Sequence, residues 1–248
     1  VEEVVESVFE KIERLDGSIN AFTSVLHERA RMRARFLDKS RSNEGPLPLL
    51  GVPFGVKNLF DVQNQVTLAG SKINKTNVAA VEDALLIKRL EKRGAILVGA
   101  LNMGEYAYDF TGENVHYGNC RNPWDPTRMA GGSSSGSAAA VAADMVPVAL
   151  GSDTNGSIRV PASLCGIFGL KPTYGRLPRS GTYPFCDSLD HVGPLARSCN
   201  DLAAVYDCLQ GYDKADHACV YRNEELVADA ATATDKSLRI GILEGYFA

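Results

Sequence analysis

Residues 82–100 read EDALLIKRLEKRGAILVGA, and this stretch sets the fold class. Its first twelve residues mix apolar and charged side chains at helical spacing, which predicts an amphipathic helix over 82–93. Gly94 stops that helix. The run AILVGA at 95–100 has no polar side chain, as expected of a strand buried on both faces. Helix, glycine stop and buried strand form the repeating half of a layered α/β fold. Working outward, SSSGSAAAVAAD (133–144) predicts a polar cap followed by an alanine-rich helix, and MVPVALG (145–151) a second buried strand. LLGVPFGVKNLFDV (49–62) divides into strand-like pieces at its glycines and proline. At the amino end, Val4, Val5, Val8, Phe9, Ile12 and Leu15 form one helical stripe, broken at Asp16-Gly-Ser18, and a second helix is predicted over roughly 20–38. Ser198-Cys-Asn-Asp201 resembles a capping box, with Asp where Glu or Gln is usual, and opens a helix to about Leu209. Residues 111–132 form a long irregular stretch, 211–236 a polar surface excursion, and LRIGIL (238–243) a strand. With no internal repeat and no dividing linker, residues 1–248 read as one mixed α/β domain around one sheet.

Composition excludes several classes. The 248 residues are 45% hydrophobic and 23% charged, which is ordinary for a soluble globular chain. Lys plus Arg number 26 and Asp plus Glu 30, a net charge of −4, so no basic excess exists to neutralise a phosphate backbone and nucleic acid is not expected as the main ligand. No apolar run reaches the ~20 residues that span a bilayer, so no membrane association is expected. The opening VEEVVESVFEKIERL reads as an acidic amphipathic helix and not as a signal peptide. Cys120, Cys165, Cys186, Cys199, Cys208 and Cys219 lie apart with no CxxC pair, in the manner of reduced cytoplasmic thiols. His27, His116, His191 and His217 never fall at i, i+3 or i+4, so neither metal nor cofactor is expected. The Asn74 and Asn155 glycosylation patterns read as chance matches without a secretory signal. Arg29, Arg31, Arg33, Arg35 and Lys39, flanked by Glu28 and Asp38, read as a solvated helix face.

Three segments set small polar residues among apolar or glycine-rich flanks. In GVPFGVKN, Lys57 sits in an apolar strand, where a charged amine is costly to desolvate. Such a lysine finds a carboxylate such as Asp61, reaches the surface, or loses its proton and becomes a general base. GGSSSGSAAA (131–140) is a glycine-rich turn entering a helix, whose amides favour anions, but the Gly-Lys-Ser/Thr ending of a phosphate loop is missing. Gly132-Ser-Ser134-Ser-Gly136 matches the G-x-S-x-G elbow formally and lacks the buried strand that should precede it. Finally, 151–157 read GSDTNGS. A sharp turn there aims successive amides at one point beside a serine hydroxyl, as in an oxyanion hole next to its nucleophile, although a polar turn with capping serines fits as well. No histidine has a convincing catalytic context, which leaves a lysine base, with a second serine as proton relay, as the remaining option for a serine nucleophile.

Read together, Gly51-Val-Pro53-Phe-Gly-Val-Lys57, Gly131-Gly-Ser133-Ser-Ser-Gly136 and Ser152-Asp-Thr-Asn-Gly-Ser157-Ile-Arg159 resemble the amidase signature family. Phe168-Gly-Leu-Lys-Pro-Thr173, Asn122-Pro-Trp124 and Asp190-His-Val-Gly-Pro194 add to the match, which covers nearly the whole chain. The resemblance implies an amidase-signature α/β fold, a mixed central sheet covered by helices on both faces, of which this chain is the N-terminal half. It implies Lys57 as base, Ser133 as bridging serine with a cis peptide bond, Ser157 as nucleophile, and backbone amides of Thr154, Asn155, Gly156 and Ser157 as oxyanion hole. It implies hydrolysis of an amide C–N bond through an acyl-enzyme, with release of ammonia. Within the family, residues 152–179 and 185–213 look most like the 1-carboxybiuret hydrolases of bacterial s-triazine breakdown. That grouping implies short urea-like amides as substrates and a small helical partner similar to the C subunit of tRNA-dependent amidotransferases, in a homo- or hetero-oligomer. The alternative is the glutaminase (A) subunit of such an amidotransferase. Asn155 and Ser135 replace glycines that are commoner in the family.

Overall fold

The centre of the protein is a six-stranded mixed sheet, seen in a computed structural model that describes residues 1–40, 47–228, 241 and 245. Its order is β1 (Phe22–Val25), β3 (Ile96–Leu101), β2 (Pro53–Lys57), β6 (Val148–Asp153), β8 (His191–Ala196), β7 (Phe168–Gly169). Strands β3, β2 and β6 run parallel, and the three outer strands pair antiparallel with their neighbours. Every residue of β2 and β3 is buried, as parallel strands covered on both faces require. One face carries α1 (Glu2–Ile19), α2 (His27–Ser40) and α4 (Ser135–Ala142), packing Val5, Phe9, Ile12, Leu37 and Val141 with Val98 and Ala149. The other carries α3 (Leu85–Lys92) and α6 (Cys199–Leu209), packing Leu86, Leu90, Leu202 and Val205 with Phe54, Val56 and Leu150. Two apolar layers separated by a sheet give the expected α/β architecture with helices on both faces. No helix among the described residues is long and apolar enough to cross a membrane.

The amino-terminal expectations need correction. Helix α1 does not break at Asp16-Gly-Ser18 but runs to Ile19, where left-handed Asn20 (φ 59°) donates its amide to the Asp16 carbonyl and ends it. The Asp16 carboxylate accepts the Ala21 amide at 2.7 Å, so it caps the chain leaving the helix. The helix predicted from residue 20 starts at His27, because Phe22–Val25, rich in β-formers, adds an edge strand to β3. The basic run on α2 is more than a solvated face. Arg29 forks onto Asp83 at 2.8 and 2.7 Å and reaches Glu91 at 3.0 Å, while Arg31 forks onto Glu6. The cations of α2 thus meet carboxylates on α1 (Glu6), on α3 (Glu91) and just before α3 (Asp83). The irregular stretch 111–132 contains a small antiparallel pair, β4 (Arg121–Asn122) with β5 (Asp125–Met129). Short helix α5 (Arg159–Leu164) follows β6. At α6 the Ser198 hydroxyl accepts the Asp201 amide at 3.1 Å. The strand expected at 238–243 falls outside the described residues.

Gly136 shows how closely α4 lies against the sheet. A Cβ there would overlap the Ala21 carbonyl oxygen and the Asn102 backbone, both ordered by hydrogen bonds, including Gly136 amide to Asn102 carbonyl at 2.9 Å. Gly136→Ala is expected to destabilise the protein by about 2–4 kcal/mol, measured by chemical denaturation, although alanine is the better helix former.

Candidate active site

Strands β2 and β6 are parallel neighbours and end together, at Lys57 and Asp153. Carboxyl ends of parallel strands are where open α/β sheets gather ligands. The residues before α4 arrive at the same place. Gly132 and Ser133 are held to the 104–112 loop, the Gly132 amide donating to the Phe110 carbonyl at 2.8 Å and the Gly104 amide to the Ser133 carbonyl at 3.2 Å. The Gly132–Ser133 peptide bond is cis. The Ser134 amide donates to the Ser157 carbonyl at 3.2 Å, which ties the serine-rich turn to the second serine segment. The Ser134 hydroxyl, the formal elbow match, donates to the Ser152 carbonyl at 3.1 Å and is occupied in holding β6.

Lys57 takes neither of its ordinary options. It is fully buried, and Asp61 instead accepts the Thr67 hydroxyl. Lys57 Nζ lies 2.7 Å from Ser133 Oγ and 2.9 Å from Ser152 Oγ. Burial pulls its pKa from 10.5 down to about 7, against the opposing charges of Asp153, Asp190 and Asp109. A neutral amine has two N–H groups and one lone pair. An N–H donated to Ser152 leaves the lone pair for the Ser133 hydroxyl.

The turn after β6 is built on Asp153. Its fully buried carboxylate accepts the Gly156 amide (2.7 Å), the Ile158 amide (3.1 Å) and a two-nitrogen fork from Arg159 (3.0 and 2.9 Å). Burial opposes the charge, but Arg159 and these amides hold the carboxyl below its ordinary range. Gly156 adopts φ 135°, which only glycine reaches easily, so the chain reverses tightly enough to wrap one carboxylate. Ser157, itself buried, then lines a cavity of about 400 Å³ with Thr154, Asn155, Tyr108, Asp109, Phe110 and Phe185. A larger cavity, about 760 Å³, lies away from these residues beside Asp61, Glu82 and Asp83, where the Thr67 and Ser180 hydroxyls donate to the Asp61 and Asp213 carboxylates.

Lys57, Ser133 and the Ser157 turn, 100 residues apart in sequence from first to last, thus share one site. Sequence reasoning missed Ser152, the second contact of Lys57. It also gave no role to Asp153 and Asp190 and did not find the aromatic wall. Strand β6 extends two residues beyond the expected Gly151, and this extension puts Ser152 and Asp153 at the strand end.

The chain is 54% identical over 246 residues to the AtzE component of 1-carboxybiuret hydrolase from Pseudomonas sp. (strain ADP), covering 99% of this chain and 54% of that protein. It is 42% identical to the glutamyl-tRNA(Gln) amidotransferase (A) subunit of Chromohalobacter salexigens, covering 99% of this chain and 50% of that protein. Among solved structures, the inhibitor-bound form of a vestigial protein complex bearing on the origins of an s-triazine catabolic enzyme superposes with a TM-score of 0.97 at 53% identity, over 99% of this chain and 54% of that one. The chain spans about half the length of these relatives. A buried lysine between two serines, a tight turn presenting a third, and a match of residues 3–248 to the Amidase family model lead to one conclusion: this chain belongs to the amidase family.

Proposed function

We propose that this chain carries the catalytic half of an amidohydrolase that cleaves the C–N bond of a small linear, urea-like amide, 1-carboxybiuret being the leading candidate. The observation that carries the reading is the contact between a buried lysine, its pKa near 7, and the Ser133 hydroxyl. Neutral Lys57 accepts the Ser133 proton while Ser133 accepts that of Ser157, whose oxygen bonds to the amide carbonyl carbon. Amides of the turn at Thr154, Asn155 and Ser157 stabilise the oxyanion, and the Gly156 amide, engaged by Asp153, holds the turn in shape. Collapse breaks the C–N bond, and the relayed proton leaves on the nitrogen as ammonia. Water then attacks the acyl-Ser157 ester, delivering its proton back through Ser133 to Lys57, and the acid departs as Ser157 regains its hydrogen. The urea-like substrate rests on similarity to the 1-carboxybiuret hydrolase, as does a small helical partner protein. All six cysteines are free, which favours a reducing, cytoplasmic setting.

The test is a substrate screen of the full-length protein, with and without a small partner protein. Biuret-type amides are expected to be hydrolysed without tRNA. Their kcat/KM should rise with pH through an apparent pKa near 7, since the base works uncharged. Ammonia release from glutamine alone, dependent on an acylated tRNA, would instead assign the amidotransferase reading.

A further inference from the structure

We propose that Asp190 is a positioning residue that clips the aromatic wall of the cavity to the nucleophile turn and thereby sets how tightly a small substrate is held. The proposal rests on the reading of Ser157 as nucleophile. Asp190 stands immediately before β8, whose first residue, His191, pairs with Asp153 at the end of β6. Its half-buried carboxylate is shared between two segments. Oδ1 accepts the Thr154 hydroxyl at 2.5 Å, and Oδ2 accepts the backbone amides of Phe185 and Cys186 at 2.8 and 2.9 Å. Thr154 belongs to the turn that presents Ser157. Phe185 and Tyr108, ring centroids 5.5 Å apart, both line the cavity.

The segment bearing Phe185 is anchored on either side, the Tyr183 amide donating to the Leu59 carbonyl at 2.8 Å and the Asp187 carbonyl accepting the Tyr174 hydroxyl at 2.8 Å, while the Phe185 and Cys186 amides between these anchors donate to Asp190. Residues 183–185 and 187–189 are exposed, so few apolar contacts hold the wall. The turn, by contrast, is held by Asp153 without help from Asp190. Losing the clip therefore loosens the wall more than the turn, and the deficit falls on substrate binding more than on the chemical step. The carboxylate can be replaced by an amide in this role. An Asn carbonyl oxygen takes the two backbone N–H groups, and its NH2 donates to the Thr154 hydroxyl, which accepts as readily as it donates. Asp190→Asn thus keeps the clip while removing a negative charge near Lys57.

Steady-state kinetics of the full-length protein test this. Asp190→Ala is expected to raise KM about tenfold with a smaller fall in kcat. Thr154→Val, nearly isosteric, should repeat the KM rise, and Asp190→Asn should recover most of it. Unchanged KM in both Asp190→Ala and Thr154→Val, a loss carried by kcat, or an Asp190→Asn variant as impaired as Asp190→Ala would each overturn the clip. Hydrogen exchange over residues 183–190 reads the same clip without turnover. Faster exchange in Thr154→Val than in wild type supports it, and equal exchange overturns it. A wild-type protein that hydrolyses no amide and resists fluorophosphonate labelling refutes the nucleophile reading alone, and the exchange measurement still decides the clip.

Discussion

Ser157→Ala in the full-length protein is expected to abolish covalent labelling by a fluorophosphonate and to lower amide turnover by about 10⁴-fold or more. The size follows from what the oxygen does. Without it no acyl-enzyme forms, and what remains is binding plus an oxyanion turn still shaped by Asp153 and Gly156. Lys57→Ala should cost several orders of magnitude as well, because among the described residues no second base is placed on the Ser133 hydroxyl. The Lys57→Ala, Ser157→Ala double variant should be no worse than Ser157→Ala alone, since groups acting as one relay are not additive. Turnover by Ser157→Ala within a factor of ten of wild type would remove Ser157 as nucleophile. Near-normal turnover by Lys57→Ala would remove the lysine as base.

Much of this site was legible because its chemistry conflicts with its surroundings. A lysine inside GVPFGVKN stands out against an apolar strand, and Asn155-Gly156 marks a tight turn, although Gly151–Asp153 before it prolong β6. Layer architecture was legible where local pattern and tertiary environment agree, as in α3 and β3. Strand β1 was hidden because four residues between two helices carry no period of their own. They become a strand only because the edge of β3 offers unpaired backbone groups. Strand β8 was hidden for the opposite reason. Gly193 and Pro194 argue locally against a strand, yet the Pro194 carbonyl accepts the Leu170 amide at 3.0 Å and a Cβ at Gly193 would collide with the Leu170 backbone. Asp190 and Phe185 join the site through contacts across some thirty residues of chain, and such contacts have no signature in sequence. Asp153, although inside the motif, gained a role only once the turn was seen to wrap its carboxylate.

The same lysine that makes a base should make the fold less stable, and its pH dependence has a definite sign. Lys57 has a pKa of about 7 when folded, against 10.5 when the chain is unfolded. Between those values the unfolded state binds a proton that the native state does not, so stability rises with pH across that window. Above about pH 10.5 both states hold a neutral amine and the penalty vanishes. Below about pH 7 both are protonated and the penalty is at its full value, which this pKa difference makes about 5 kcal/mol. Lys57→Met keeps a similar length, removes the titrating group and forgoes two contacts to serine hydroxyls. Its advantage in unfolding free energy over wild type should therefore shrink by about 3 kcal/mol between pH 7 and pH 9.5, whatever constant offset the lost contacts impose. Denaturant titrations of both proteins across that range measure the difference directly, and titrations common to the two cancel. A difference that stays flat from pH 7 to pH 9.5 would mean that Lys57 keeps its proton in the native protein. In that case an ammonium, not an amine, would face Ser133, and the proton relay would lack its acceptor.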